Sequence, residues 1–170
     1  MSHFIERLAR HHDRAGFSCG EDVLDAWFKE VAEQAEARHG SARVFVLVDD
    51  GTDNGRSPLG FYALSSHSIR FEDVPTDVRR GQSRYVPIPC VLLGQLAVDV
   101  RYQKQGLGEA LLADAVREIV AADEHVAMPL IVVDALNESI ARWYAKYEFK
   151  PFPAKPLRLA IRVADARLVF

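Results

Sequence analysis

Leu96-Ala97-Val98-Asp99-Val100-Arg101-Tyr102-Gln103-Lys104-Gln105-Gly106-Leu107-Gly108-Glu109-Ala110 decides how this chain is read. A β-prone run, Val91 through Val98, ends inside it. A short polar loop follows, and a helix opens on Gly106 and Gly108. The first turn of a helix has backbone N–H groups without intrahelical acceptors and a partial positive charge. Glycines let a ligand approach that backbone closely, so the combination suits a phosphate or diphosphate. Lys104 and Arg101 add positive charge nearby. A Walker A loop needs Gly-Lys-Ser/Thr, which is absent. The dinucleotide fingerprint needs a third glycine where Leu111 stands, in an early βαβ unit. A tight structural turn is the bland alternative.

Outward from this stretch, period and turn chemistry predict the other elements. Residues 21–37 read as a helix with Leu24, Trp27, Phe28, Val31 and Ala35 on one face, ended by Gly40. Val44–Val48 is a buried strand. The turn residues 49–55 join it to a second strand, Leu59–Leu64, as a hairpin. Residues 72–87 are charged, contain Pro75, Gly81 and Pro87, and read as an exposed loop. After the Val91–Val98 strand come a helix over 106–121, with Leu107, Leu111, Ala115, Val116 and Ile119 as its apolar stripe, and a strand at Leu130–Val133. A helix over 138–147 follows, with Asn137 as N-cap, then a last strand across Leu157–Val163. A hairpin followed by alternating strands and helices predicts an α/β (α+β) fold: a mixed, largely antiparallel sheet flanked by helices.

The whole chain has 170 residues, 49% hydrophobic and 26% charged. At ~100–200 residues per domain this is a single domain, residues 1–170. The composition excludes a disordered or collagen-like chain. Net charge is −3, from 21 Lys+Arg against 24 Asp+Glu, unlike a strongly basic nucleic-acid protein. Two cysteines, Cys19 and Cys90, make no disulfide framework. Nothing near Cys90 would lower its pKa for a nucleophile's role. No signal peptide or membrane span is apparent, so the expected location is the cytoplasm. His11-His12-Asp13 lacks a second ligand group at metal spacing, and no metal is expected. Ser65, Ser66 and His67 alternate faces along a strand and do not make a compact triad.

Gln103-Lys104-Gln105-Gly106-Leu107-Gly108 resembles the Arg/Gln-x-x-Gly-x-Gly/Ala signature of the GNAT superfamily of acyl-coenzyme A-dependent N-acyltransferases. Asn137, the Trp143-Tyr144 pair and Glu148-Phe149 continue the likeness, with Glu148 where the family has glycine, so the turn there is expected to differ. The resemblance spans roughly residues 42–163. It implies the GNAT fold, with acetyl-CoA as co-substrate. Leu96, Ala97 and Val98 would splay from their neighbour and offer backbone groups to the pantetheine. Gln103, Lys104, Gln105, Gly106, Leu107, Gly108 and Glu109 would form the diphosphate loop. Asn137 would lie near the pantetheine or cap the following helix. Tyr144 would lie by the thioester sulfur. A phenol of pKa ~10 stays protonated at neutral pH and can donate to the departing thiolate. Tyr147 shares its helix face, and the family position favours Tyr144.

Phe17-Ser18-Cys19-Gly20, Leu24-Asp25, Trp27-Phe28, Gly60 through Ser65, Val91 through Asp99 and the tail from Phe149 resemble the acetyltransferase toxins of bacterial toxin–antitoxin pairs. That likeness implies acetylation of the α-amine of aminoacyl-tRNA, arrest of translation, a ribbon–helix–helix antitoxin and a homodimer. Gln95 stands where that group commonly has arginine. An α-amine titrates near ~7.7–8.0, and esterification lowers it further, so no dedicated general base is required. Arg79, Arg80 and Arg84 are the candidate tRNA contacts, with Lys29, Arg38 and Arg43 behind them. Two rival readings share the cofactor loop: a metabolic or protein N-acetyltransferase with a small-amine or lysine acceptor, and a non-catalytic CoA-binding or antitoxin-partner module.

Overall fold

The computed structural model describes residues 2–51 and 53–170; Met1 and Thr52, which the N-terminal and 49–55 readings include, lie outside them. Seven strands form one sheet in the order β1-β2-β3-β4-β5-β7-β6. They are β1 (His3–Arg7), β2 (Arg43–Asp49), β3 (Gly60–Ile69), β4 (Ile88–Val98), β5 (Leu130–Asp134), β6 (Lys150–Pro151) and β7 (Arg158–Arg162). The β4–β5 ladder is parallel. The β1–β2, β2–β3, β5–β7 and β6–β7 ladders are antiparallel. The mixed, mostly antiparallel sheet with flanking helices is the architecture expected from the order of the elements. The chain divides into two compact units, Met1–Ser65 with Gln95–Ala115, and Ser66–Gly94 with Val116–Phe170.

In the first unit, β1, β2 and the start of β3 make an antiparallel ladder in which Val44, Val46, Val48, Phe61 and Ala63 are buried. Continuous β-branched and aromatic residues fit a strand covered on a pleated face. The Phe28 and Phe61 rings stack at 4.0 Å, with Phe17 edge-on to both. Full burial of each such ring is worth roughly 1.5–3 kcal/mol.

Phe28 comes from a helical stretch, α1 (Asp22–Ala26), that runs through a π-helical turn (Trp27–Val31) into α2 (Ala32–Gln34) and a second π turn (Ala35–His39). Each π turn bonds i to i+5 and rotates the apolar face by one residue. The expected stripe therefore shifts. Phe28, Ala32 and Ala35 are buried, and Val31, predicted on that face, is 42% exposed. Gly40 ends the stretch in the left-handed region, φ 59°, its N–H bonding to the Ala35 carbonyl.

The second unit is built on Ile69, Val74, Val78, Ile88, Cys90, Leu130, Val132, Phe152 and Ala160. Val74 and Val78 correct the reading of residues 72–87 as wholly exposed. A turn on Pro75, whose carbonyl accepts from the Val78 and Arg79 amides, folds two apolar side chains inward. Residues 80–87 remain outside apart from Gln82, which is half-buried. In β5 and β7, Asp134 and Arg158 are register partners and form a bidentate pair at 2.7 and 2.8 Å. After β7 comes α5 (Val163–Val169); its first residue, Val163, was expected to end the Leu157–Val163 strand, and the rest of the helix was not foreseen. The α3 helix (Leu107–Asp123) begins in the first unit and ends in the second; Leu107, Leu111, Ala115, Val116 and Ile119 are buried as predicted.

Candidate active site

In the first unit, the last residues of β4 lead directly into the glycine loop. The register with β5 covers Cys90–Leu93, and β4 runs on to Val98. Ala97 is buried in the first unit's core, so what it offers a ligand is backbone. Asp99, fully buried, closes the strand. Its amide donates to the Leu59 carbonyl at 2.8 Å. Its carboxylate accepts from the Ser18 amide at 3.2 Å and from the Arg101 amide at 3.0 Å. It also holds the Arg101 guanidinium at 2.8 and 2.9 Å. Burial alone would raise the Asp99 pKa, but the guanidinium and the two amides outweigh it and hold the group below the usual carboxylate value. The sequence reading passed over this residue as a determinant. Its signal was an Asp-x-Arg at a strand end, the pattern of a capped short turn. Arg101, expected to lend charge to the loop, spends it on Asp99.

Gln103 is the loop's clasp. Its amide nitrogen donates to the Cys19 carbonyl at 3.0 Å and the Val98 carbonyl at 2.9 Å. Lys104 and Gly106 follow in the left-handed region, φ 61° and 81°. The Gly106 carbonyl then accepts the Ala110 amide at 3.1 Å and starts α3. A Cβ built on Gly106 would meet no heavy atom within 4 Å. Open space thus lies where a helix start presents the amides of Leu107 and Gly108. That donor set fits a diphosphate. Gln105 and Glu109 are exposed in the same turn.

The second unit holds Asn137 and Tyr144. Asn137 caps α4 (Glu138–Ala145), its side-chain oxygen accepting from the Ile140 amide at 3.0 Å. Tyr144 is buried, its ring edge-on to Trp143 at 4.9 Å and Phe149 at 5.5 Å. Among the described residues its hydroxyl takes no partner, yet no buried side-chain oxygen lacks one. The phenol oxygen therefore opens on the accessible surface while the ring does not. Desolvation pushes the phenol above its ordinary pKa, and the negative charge of Asp134 adds to this. Tyr147 instead stacks on Phe170 at 5.4 Å. Glu148 adopts φ 71°, the conformation a glycine takes most easily, so the turn after α4 keeps its shape without the glycine.

The arginines predicted to face tRNA are not equivalent. Arg79 lies 4.6 Å over the Phe71 ring and donates to the Phe71 carbonyl. Arg80 is 3.9 Å from Asp77. Arg84 has no ion-pair partner among the described residues and stands beside Tyr85, which is 87% exposed. Burial pushes the Cys19 thiol to about 12, with an Asp25 hydrogen bond adding, and the Cys90 thiol to about 11. Neither is poised as a nucleophile.

Glu6, not foreseen at the His11-His12 pair, brings a third ligand-type group within 4.8 Å. The His12 Nδ1 accepts from the Ala9 amide at 2.9 Å, so the neutral ring carries its proton on Nε2, which faces Glu6 at 2.9 Å. A metal at that nitrogen would have to displace the proton, and the arrangement is that of a hydrogen-bonded core histidine.

A strand, a glycine loop closed by Gln103 and a helix start together present a donor set of the kind that fits a diphosphate. The model of the GNAT acetyltransferase domain matches residues 40–151. The chain belongs to the GNAT acetyltransferases. It is 37% identical over 163 residues to the tRNA-acetylating toxin of Mycobacterium tuberculosis (strain ATCC 25618 / H37Rv), covering 95% of this chain and 92% of that protein. The crystal structure of a tyrosine-to-phenylalanine mutant of KacT superposes with TM-score 0.89 at 28% identity, over 100% of both chains. AtaT complexed with acetyl-methionyl-tRNAfMet gives 0.87 at 28% identity over 99% of each. A tyrosine-to-phenylalanine mutant of AtaT is also solved with acetyl-CoA and the C-terminus of the antitoxin AtaR. Among the described residues no helix is long and apolar enough to cross a membrane.

Proposed function

We propose that this chain transfers the acetyl group of acetyl-CoA to the α-amine of an aminoacyl-tRNA, as the toxin of a toxin–antitoxin pair. The end-to-end likeness to AtaT bearing acetyl-methionyl-tRNA carries the choice of acceptor. In this reading the chain is one catalytic domain, forms a homodimer, works in the cytoplasm and is neutralised by a ribbon–helix–helix antitoxin.

The backbone of Leu96–Val98 receives the pantetheine arm. The amides of the turn from Gln105 to Glu109 bind the diphosphate, and Lys104 adds charge. Gln103 acts by holding the loop, and Asn137 by fixing the start of α4. The neutral amine forms a bond to the acetyl carbon, the C–S bond breaks, and the amine's surplus proton passes to water. Tyr144 gives its proton to the leaving sulfur, and its phenolate regains one from solvent before the next turnover. Its raised pKa keeps it a donor across the working range, and its open hydroxyl lets it reach a ligand.

The test is labelled acetyl-CoA offered with total charged tRNA, a polyamine and a lysine peptide panel. Label entering the tRNA fraction in an ester-linked aminoacyl form is the expected result. Turnover of a small amine or a peptide with no label in tRNA would overturn the acceptor.

A further inference from the structure

In the first unit the turn 10–15, Lys29 and Arg56 surround an open concavity of about 500 Å³. Its walls carry four permanent cations, Arg10, Arg14, Lys29 and Arg56, against one carboxylate, Asp13, in a chain whose net charge is −3. Arg14 is spent: it donates to the Phe28 carbonyl at 3.0 Å and pairs with Glu33 at 2.7 Å. Arg10 is 3.9 Å from Glu33, with 95% of its side chain exposed. Lys29 and Arg56 have no ion-pair partner within 4 Å among the described residues, and both are exposed. The frame is fixed, because the Asp13 amide donates to the Arg56 carbonyl at 2.7 Å and the Asp13 carboxylate accepts the Ala15 amide at 3.0 Å.

Asp13, Glu33 and Asp53 offset part of this charge, Asp53 acting on Arg56 without a contact ion pair; the excess that remains on the exposed Lys29 and Arg56 is what a polyanion would neutralise. The walls contain no Phe, Tyr or Trp on which a base would stack. What they recognise is charge, not base identity. We infer that this concavity binds the phosphodiester backbone of the RNA that carries the acceptor amine, with Lys29 and Arg56 each contacting a phosphate. The inference rests on the aminoacyl-tRNA reading above. It also moves the backbone contact away from Arg79, whose guanidinium lies over the Phe71 ring and donates to the Phe71 carbonyl.

The experiment measures binding of fluorescently labelled, uncharged tRNA to the wild type and to Lys29→Gln/Arg56→Gln across a salt series. Each phosphate contact releases about 0.7–0.9 counterions, so the slope of log K against log salt should fall by roughly 1.4–1.8 in the double variant. At about 0.15 M salt the same term weakens binding roughly 15- to 30-fold. Each single variant should lose about half the slope, and Lys29→Arg/Arg56→Lys should keep it, since it preserves both charges. Unaltered affinity and slope in the double variant would overturn the inference, as would a wild type that binds no RNA. Acetyl transfer by the wild type is scored separately. Binding that depends on Lys29 and Arg56 without label transfer supports the concavity and rejects the acceptor. Transfer to tRNA with a double variant that binds like the wild type does the reverse.

Discussion

Replacing Gln103 asks whether the signature glutamine touches the cofactor or builds the loop that does. Its amide nitrogen makes two hydrogen bonds, 3.0 Å to the Cys19 carbonyl and 2.9 Å to the Val98 carbonyl. A net ~0.5–1.5 kcal/mol per bond gives about 1–3 kcal/mol for the pair, and the exposure of the Val98 bond places the total near the lower half. Gln103→Ala should therefore cost about 1–2 kcal/mol in urea denaturation. Gln103→Glu should cost more, because it sets an acceptor-only carboxylate against two carbonyl oxygens. Gln103→Arg should be tolerated, since a guanidinium donates to both. Acetyl-CoA affinity by calorimetry should follow the same order. A loop opened by 1–2 kcal/mol weakens the apparent Kd by up to about 5- to 30-fold. An arginine also attracts the diphosphate, and its extra affinity will fade with salt while the clasp's will not. Equal behaviour of the Arg and Glu variants would refute the donor argument. Loss of affinity in Gln103→Ala at unchanged stability would return Gln103 to direct contact with the cofactor.

Gly60→Ala places a Cβ 2.9 Å from the Ala97 carbonyl oxygen and 2.9 Å from a Leu111 methyl. The backbone oxygen cannot yield, so the unfolding free energy from urea denaturation should fall by roughly 1–3 kcal/mol, and an unchanged value would show that β4 shifts freely. Asp99 has a folded-state pKa below its unfolded value, so its contribution is complete above about pH 4 and is lost as pH falls through the lower, folded value. Melting temperatures across that acid range should show a loss that Asp99→Asn flattens; parallel wild-type and variant curves would count against it. Tyr144→Phe should keep acetyl-CoA binding and lose about 10²–10⁴-fold in turnover, and near-wild-type turnover would remove the phenol as proton donor. Because its pKa lies above the ordinary ~10, wild-type turnover should show no decline from phenol ionisation below that pH.

What the sequence made legible is what depends on neighbours within a few residues. The runs 44–48 and 130–133, rich in Val and Ile and too short for a helix, read as covered strands, and 91–98 follows from its apolar residues and the polar loop that ends it. The Gly106-x-Gly108 helix start follows from backbone geometry that glycine alone makes easy. Asn137 caps α4 because an Asn before an apolar period does that wherever it occurs. The π turns between Trp27 and His39 were hidden, since a one-residue slip leaves no period to detect in so short a stretch. Strand β1 was hidden too: His-Phe-Ile-Glu-Arg has a weak alternation, and its pairing with β2 supplies the order.

The site splits along the same line. The glycine-loop pattern Gln103–Gly108 was legible, while the contacts that shape it, Gln103 with Cys19 and Asp99 with Ser18, span 84 and 81 residues and form only on folding. Charge behaves in the same way. Arg79, Arg80 and Arg84 look like a basic patch because they are adjacent, yet adjacency is what supplies the first two with Phe71 and Asp77 as local partners. Arg10, Lys29 and Arg56 are scattered among acids in the sequence and converge on one concavity in the fold. A phosphate contact needs a cation whose charge the protein has not already used, and that property is decided by tertiary pairing. A count of Lys and Arg in a window does not register that pairing, and salt-dependent binding is the measurement that ranks the two groups by the charge each has left.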